Sequence, residues 1–245
     1  MKDCKVKLTP DEKAEKLKKI NQDFPRRNGW YYDVGKSGKE VYPSVTTIIG
    51  IIAKPALITW GARQAATVAL NDPSLDINEV VSLAFSRKKE KGDIGTTVHS
   101  ITKAIAEGTF DTKTIDNIDE ELRGYVKGYI DWYMTYKPRI LYAETKIWSD
   151  ELGLAGTLDA IWDINGEIYL TDTKTSKNIY KEVKIQLSAY AICAIEMKLI
   201  PKIDKCAVLL LKPDGTKNFL EVNPAPLSVV MATKELWSWS NKEEA

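Results

Sequence analysis

The sequence predicts an α/β fold in which helices flank both faces of a central mixed β-sheet, with a mainly helical N-terminal half. Two short strand-like runs surround Asn165-Gly166, the pair most typical of a two-residue hairpin turn. Segments with the apolar period of helices lie before and after these strands. No linker, repeat or low-complexity tract divides the 245 residues. We therefore expect one domain, with a helical wall and a hairpin in 1–137 and the main sheet in 138–245.

Composition limits the class of protein. The 44% of hydrophobic residues suffices for a real core. No apolar run approaches about 18 residues and no secretory signal opens the chain, so we expect a soluble, cytoplasmic protein without a membrane partner. Cys4, Cys193 and Cys206 lack C-x-x-C spacing, which argues against disulfides and against zinc or iron–sulfur sites. The 35 basic and 34 acidic residues give a net charge of +1, so any nucleic-acid-binding surface must be local.

The first half of the chain is predicted to contain five helices and one hairpin. The hairpin pairs 29–34 with 39–42 across a glycine-bounded turn. A first helix starts at Thr9-Pro10, where Thr is the N-cap and Pro the first helical residue, and runs to Ile20. The apolar period and the positions of Pro and Gly predict the other helices, at 43–52, 55–70, 78–107 with interruptions at Gly92 and Gly95, and 119–136.

The second half is predicted to carry most of the strands. After the Asn165-Gly166 hairpin we expect a helix over 178–199, a hairpin of 205–212 with 217–222, and a last helix over 224–239. Before it, 140–149 alternates as a strand. That alternation places four side chains on one face, namely Tyr142, Glu144, Lys146 and Trp148.

The helix over 119–136 carries a stripe of aromatic residues on one face. Its members fall at helical spacing, and they are Tyr125, Tyr129, Trp132, Tyr133 and Tyr136. Such a stripe is typical of a core-facing surface, and a platform on which nucleobases stack is the alternative.

The turn at Asn165-Gly166 fixes which residues face each other on the flanking strands. Asp159 should lie opposite Asp172 in a non-hydrogen-bonded pair, where side chains approach closest. Lys174 follows two residues later and shares their face. At about 5 Å and an effective dielectric of about 20, the two carboxylates would repel by roughly 3 kcal/mol. Lys174 or a bridging Mg²⁺ or Mn²⁺ ion would compensate; two solvated acids on an open face are the alternative.

These residues belong to a set of ordered motifs. The set comprises Gly156-x-x-Asp159, Asp172-x-Lys174, Gln186-x-x-x-Tyr190 and an upstream helical histidine, His99 in Gly95-Thr-Thr-Val-His99. In this order, over about residues 43–192, they resemble the RecB-like branch of the PD-(D/E)XK nuclease superfamily. The segment from Pro43, together with Lys54-Pro55 and Trp60, is also similar to phage and mitochondrial exonucleases of this branch. The resemblance implies a restriction-endonuclease-like core.

The resemblance also implies a metal site. Mg²⁺ or Mn²⁺ would be held by His99, Asp159, Asp172 and the backbone carbonyl of Thr173, and Glu144 would bind the metal or orient a ligand. No iron–sulfur cluster is expected, because CRISPR-associated relatives build theirs from four cysteines and this chain has three. For His99 a purely structural role is the alternative.

The catalytic set that the resemblance implies is Asp159, Asp172, Lys174, Gln186 and Tyr190. Lys174 would orient the attacking water or stabilise charge on phosphorus. Gln186 and Tyr190 would position the DNA strand, unless they are an exposed glutamine and a core tyrosine.

Candidate DNA contacts lie in the helical half. A basic cluster precedes Gly92 and is either a solvated helix face or a strip that contacts phosphates; its members are Arg87, Lys88, Lys89 and Lys91. Trp60 and Arg63 are further candidates.

The expected function is that of a metal-dependent DNA exonuclease that prefers single-stranded ends and acts in recombination, repair or replication. An endonuclease of the same superfamily and a catalytically silent DNA-binding protein are alternatives. A third is a metal-free phosphate-binding protein that uses Lys174 and the basic helix.

Overall fold

The computed structural model describes residues 24–241, except for the side chains of 56, 87–91 and 112–114. The helix expected from Thr9 to Ile20 lies outside the described residues. Within them the structure confirms the α/β class, with a five-stranded mixed sheet, a three-stranded antiparallel sheet and flanking helices.

Within residues 24–137, the structure has the small sheet and four α-helices. The sheet has the order β1-β2-β3, with β1 Arg26–Arg27, β2 Trp30–Val34 and β3 Glu40–Pro43. The helices are α1 Val45–Ile48, α2 Pro55–Asn71, α3 Ile77–Ala106 and α4 Glu120–Tyr136, with 3-10 segments at Ile49–Ile51 and Thr112–Asn117. The predicted hairpin is therefore confirmed within about one residue, and β1 is an addition.

The C-terminal part forms the main sheet and two helices. The strands are β4 Arg139–Ser149, β5 Leu154–Ile164, β6 Glu167–Lys174, β7 Lys205–Leu211 and β8 Lys217–Glu221. They lie in sequential order, and β6 and β7 are the parallel pair. The helices are α5 Glu182–Glu196, which connects these two strands, and α6 Leu227–Ser240. A helical crossover is what a parallel pair requires.

The two faces of the main sheet carry separate apolar cores. One contains Leu158, Ile161 and Leu170 packed with Leu187 of α5. On the other, Trp132 of α4 meets Trp162 of β5 edge to face at 5.5 Å between ring centroids. Tyr125, Tyr129 and Trp132 are buried, and Tyr133 packs partly buried against the same core, whereas Tyr136 is 38% exposed. The predicted core stripe is therefore confirmed for four of its five members.

Helix α3 differs from the prediction, because it continues through Gly92 and Gly95 without interruption. A glycine inside a helix costs only about 1 kcal/mol relative to alanine, which the packing of a 30-residue helix can offset. A Cβ added at Gly95 would lie 3.4 Å from Thr175 Oγ1, which is an ordinary van der Waals distance.

Helices α5 and α6 start later than predicted. Helix α5 begins at Glu182 rather than at 178. The segment before it is held by Lys212 Nζ, which donates to the carbonyls of Ser176 and Lys177, and by Ser176 Oγ, which donates to the carbonyl of Asn178. Pro226 has an extended backbone, so α6 begins after it. At the other end of α5, Lys198 adopts a left-handed φ of 56°, which stops the helix before 199.

A search of residues 24–241 for a helix with the length and apolarity needed to cross a membrane finds none.

Candidate metal centre

The hairpin of β5 and β6 has the predicted register. Ala160 faces Thr171 and Ile164 faces Glu167, while Asn165 and Gly166 have φ of 54° and 88°, as a type I′ turn requires. Continued by one residue, the register places Asp159 opposite Asp172.

Glu144 on β4 extends this row of acids. Ala143 pairs with Ala160 and Thr145 with Leu158, so Glu144 lies opposite Asp159. The three acids thus follow one another across three neighbouring strands. Glu144 has a φ of 43° in the middle of a strand, and such left-handed geometry in a non-glycine residue is often found at functional sites.

The left-handed backbone at Glu144 also corrects the prediction that four side chains of this strand share a face. Tyr142 lies in the same core as Ile147, although strict alternation would place them on opposite faces. Lys146 and Trp148 instead contact Phe24 on the side of the N-terminal sheet. The strand turns over between Tyr142 and Lys146.

His99 of α3 meets two of these acids. Its Nδ1 lies 3.4 Å from Glu144 Oε1 and 3.5 Å from Asp159 Oδ2. Among the described residues, one donor atom from each of the three side chains lies within 4.8 Å of the other two. Ligand atoms on neighbouring positions of an octahedral ion with 2.1 Å bonds are about 3 Å apart. The three side chains therefore have nearly the spacing of a metal site.

Asp172 is not a member of that group, and its partner is Lys174. Lys174 Nζ donates to Oδ1 at 2.8 Å and lies 2.7 Å from Oδ2. The carboxylate is 1% exposed, and Oδ2 has no well-oriented hydrogen bond from the described residues. The Lys174 ammonium thus serves as the counter-ion of Asp172. From the sequence, either Lys174 or a bridging metal ion was expected in this role.

The four charged groups shift one another's proton affinities. Burial raises the pKa of Asp159, against the opposing effect of His99 and Lys174. Burial also raises the pKa of Asp172 to about 6, opposed chiefly by Lys174. For His99, burial alone would lower the pKa, but Asp159 and Glu144 raise it to about 9. All three groups therefore bind protons more tightly than usual, and a bound cation would compete with those protons.

Thr173 joins the two acidic strands. Its backbone N–H donates to Asp159 Oδ2 at 2.7 Å, and the residue is 6% exposed. The hydrogen bond orients the Asp159 carboxylate towards His99.

Gln186 and Tyr190 of α5 lie beneath the site and are both buried. Gln186 Nε2 is 3.4 Å from Tyr190 Oη. The Tyr190 ring packs directly on Gly156, where a Cβ would lie 2.4 Å from Cε1. The glycine of G-x-x-D is thus required by the tyrosine of Q-x-x-x-Y, and the alternative of an exposed glutamine is wrong.

An open cleft of about 440 Å³ leads to these groups. Its walls are α3 and the end of β6, and its lining residues are Gly92, Gly95, Thr96, His99, Glu144, Thr173, Lys174, Thr175 and Ser176. A cavity of about 20 Å³ behind it is lined by Asp159 and Tyr129 among others.

Among the described residues, the candidate DNA-contacting side chains do not line this cleft. Trp60 lines a separate apolar cleft of about 700 Å³ between α2 and α3, and Arg63 is exposed on α2. The side chains of Arg87, Lys88, Lys89 and Lys91 lie outside the described residues. Their predicted contacts with DNA stay predictions.

Sequence reasoning missed Tyr31 of β2. Its Oη lies 2.8 Å from Oγ1 of Thr157, two residues before Asp159. The contact joins residues 126 positions apart, and no local pattern marks it.

No protein-family model matches the chain, and no curated protein matches it. A solved structure titled "Crystal structure of SSO0001" is similar at 14% sequence identity and a TM-score of 0.38, over 94% of this chain and 85% of that chain. This likeness is too distant to carry an inference.

Proposed function

We propose that this protein is a Mg²⁺- or Mn²⁺-dependent deoxyribonuclease. The observation that carries the proposal is the convergence of His99, Glu144 and Asp159 beside the Asp172–Lys174 pair. Of these residues, His99, Glu144 and Lys174 line the open cleft. An imidazole with carboxylates is a donor set that suits Mn²⁺ and accepts Mg²⁺.

The residues of the cleft fit such an ion. His99, Glu144 and Asp159 would hold it, and Asp172 with the backbone carbonyl of Thr173 would complete the set. Asp172 Oδ2 already lies 2.7 Å from Lys174 Nζ, so an ion bound there would share this carboxylate with the ammonium. When bound, the cation would polarise the scissile phosphate and lower the pKa of the attacking water.

Lys174 supplies the positive charge of the chain itself. Its side chain is 29% exposed and lines the cleft. Asp172 and Asp159 raise its pKa in spite of burial, so it stays an ammonium. It can donate to a water or to a phosphate oxygen as negative charge develops there.

Gln186 and Tyr190 act beneath the surface. Both are at most 6% exposed, and Tyr190 supports the segment that leads from Gly156 to Asp159. Their proposed part in positioning DNA is therefore exerted through β5.

We further propose a DNA exonuclease that prefers single-stranded ends and acts in recombination, repair or replication in the cytoplasm. The cleft favours this substrate because one wall is the glycine-bearing face of α3, where a strand can approach closely. An endonuclease using the same metal site is the second candidate. A silent DNA-binding protein and a metal-free phosphate-binding protein would leave the metal-ligand spacing unexplained.

The test is a cleavage assay on labelled linear single strands, blunt duplex and single-stranded circles, with Mg²⁺, Mn²⁺ or EDTA. We expect metal-dependent cleavage that Asp159→Asn abolishes. The matched control is Asp163→Asn on the same strand, whose carboxylate pairs with Arg139 at 2.5 Å; it should cleave like wild type. Cleavage in EDTA, or equal rates for both variants, would show that the site is not the catalytic metal centre.

A further inference from the structure

Strand β5, which carries Asp159, extends beyond the residues that pair with β6. β5 pairs with β4 from Leu154 to Asp163, but with β6 only from Ala160 onwards. Asp159 is the first residue beyond that ladder. Without a second ladder, the segment 154–159 depends on other contacts to fix its position, and a metal ligand must be held within about 0.5 Å.

The N-terminal sheet supplies those contacts. Ser44, which follows β3, forms an isolated parallel bridge with Ala155. Ala155 packs in a small core with Phe24, Tyr31 and Val34. Tyr31 is 2% exposed, and its ring meets Phe24 edge to face at 5.7 Å. A buried, packed ring places its hydroxyl in one position.

The Tyr31 hydroxyl contacts the segment of β5 that is not paired with β6, close to the proposed metal ligands. It lies 2.8 Å from Thr157 Oγ1. Thr157 faces Lys146, just as Asp159 faces Glu144, so the two residues lie in successive positions on one face. Burial raises the pKa of Tyr31, and the charge of Glu144 adds to that rise, which places the phenol within electrostatic reach of the site.

We propose that Tyr31 is a positioning residue of the candidate metal centre, and that its hydroxyl acts through Thr157 to fix the strand segment that carries Asp159. The inference rests on the proposed metal site. On this proposal, the N-terminal sheet helps to position a ligand of the metal site.

The first variant is Tyr31→Phe, which removes one oxygen and keeps the ring in its core. Substitution of a residue that orients a metal ligand typically weakens metal affinity about 10–100-fold. We expect the Kd for Mn²⁺, measured by calorimetry in the absence of DNA, to rise about tenfold. The spectrum of bound Mn²⁺ in electron paramagnetic resonance should broaden or split differently, because the Asp159 carboxylate is less firmly held.

Tyr42→Phe is the matched control. Tyr42 faces Tyr31 on the same hairpin, and its Oη donates to Asp150 Oδ1 at 2.9 Å, beyond the end of β4. Like Tyr31→Phe, this substitution removes one tyrosine hydroxyl from the N-terminal sheet, but the hydroxyl that is lost does not contact the segment that carries Asp159. If Tyr31 acted only by stabilising the sheet, both variants would bind Mn²⁺ alike.

Thr157 tests the route. Thr157→Val keeps the shape and removes the hydroxyl, whereas Thr157→Ser keeps the hydroxyl. We expect Thr157→Val to match Tyr31→Phe, the double variant to be no weaker than either single one, and Thr157→Ser to bind like wild type.

The experiment separates two failures. If Asp159→Asn binds Mn²⁺ as tightly as wild type, the metal site is misassigned and the inference falls with it. If Asp159→Asn loses binding but Tyr31→Phe keeps wild-type affinity and spectrum, the metal site stands and the role of Tyr31 is wrong. Equal losses in Tyr31→Phe and Tyr42→Phe would likewise overturn that role.

Discussion

Asp172 and Lys174 form a pair in which the acid is almost completely buried and the base is not. Their side chains are 1% and 29% exposed. Removing one partner of a buried pair leaves a charge without compensation, which costs about 3–5 kcal/mol in the dry limit. Solvent at Lys174 and protonation of Asp172 reduce that cost, since the acid already has a pKa of about 6.

We therefore predict that Lys174→Met lowers the free energy of unfolding by about 1–3 kcal/mol. The double variant Asp172→Asn, Lys174→Met should recover most of the loss, because both charges are gone. Urea unfolding in EDTA measures this. Lys205→Met, which removes a lysine bound to the exposed Glu167 and Glu221, should change stability much less than Lys174→Met does. A Lys174→Met protein as stable as wild type would contradict the pairing.

His99 makes the stability of the metal-free protein depend on pH. Its pKa is about 9 in the fold, raised from 6.5 by Asp159 and Glu144 against burial. A raised pKa means that the folded state binds the proton more tightly, so the stabilisation is complete below about pH 6.5 and is lost as pH rises through 9. Asp172 contributes in the same direction at lower pH, because its pKa rises from the ordinary 3.8 to about 6.

Between pH 6.5 and 9 we expect the unfolding free energy in EDTA to fall by the order of 2–3 kcal/mol in wild type. His99→Gln should be nearly independent of pH over that window. Urea titrations at four pH values give the two curves. Parallel curves for wild type and variant would show that His99 is not the titrating group.

At the level of elements, two helix glycines should respond to alanine with opposite sign. A Cβ added to Gly92 of α3 would have no atom within 4 Å among the described residues outside its own stretch of helix backbone. A Cβ on Gly124 of α4 would instead lie 1.7 Å from the Pro213 carbonyl oxygen. Gly92→Ala gains about 1 kcal/mol of helix propensity and should raise Tm by about 2–4 °C.

Gly124→Ala should instead lower Tm by several degrees, because α4 must move away from the turn between β7 and β8. Thermal unfolding followed by circular dichroism measures both variants. A higher Tm for Gly124→Ala would mean that α4 does not pack on that turn.

Elements that depend on neighbouring residues in the sequence were predictable, whereas those that depend on tertiary packing were not. The Asn165-Gly166 register was predictable because a two-residue turn fixes it locally, and that register places Asp159 opposite Asp172. The continuity of α3 was not, since a glycine's local cost is offset by packing along the whole helix.

The candidate site was predictable in the same uneven way. Ordered motifs pointed to His99 and Asp159, and the structure brings these two side chains together. Glu144 could not be placed by strand alternation, because its left-handed backbone breaks the period of two. Tyr31 could not be found at all, because its partner Thr157 is 126 residues away.

For the whole molecule, the charge and the cleft together bear on the substrate. With a net charge of +1, no long-range field draws DNA to the protein. If the protein binds DNA as proposed, the contacts would come from the cleft, where Lys174 is a cationic group among the described residues, and from the basic segment that precedes Gly92 in sequence. A cleft of about 440 Å³ between one helix and one strand end favours a single strand over a gripped duplex.

We predict end-dependent degradation without sequence specificity, faster on single strands than on blunt duplex. If the cleft contacts about four phosphates, log Kd for single strands should change with log salt concentration by a slope of about 3, since each phosphate contributes roughly 0.7. Fluorescence anisotropy with Asp159→Asn and a labelled oligonucleotide measures the slope. Time courses on linear and circular single strands measure the need for an end. Rapid cutting of closed circles with Mg²⁺ would replace the exonuclease by an endonuclease and leave the metal site in place, because His99, Glu144 and Asp159 would serve either mode of cleavage.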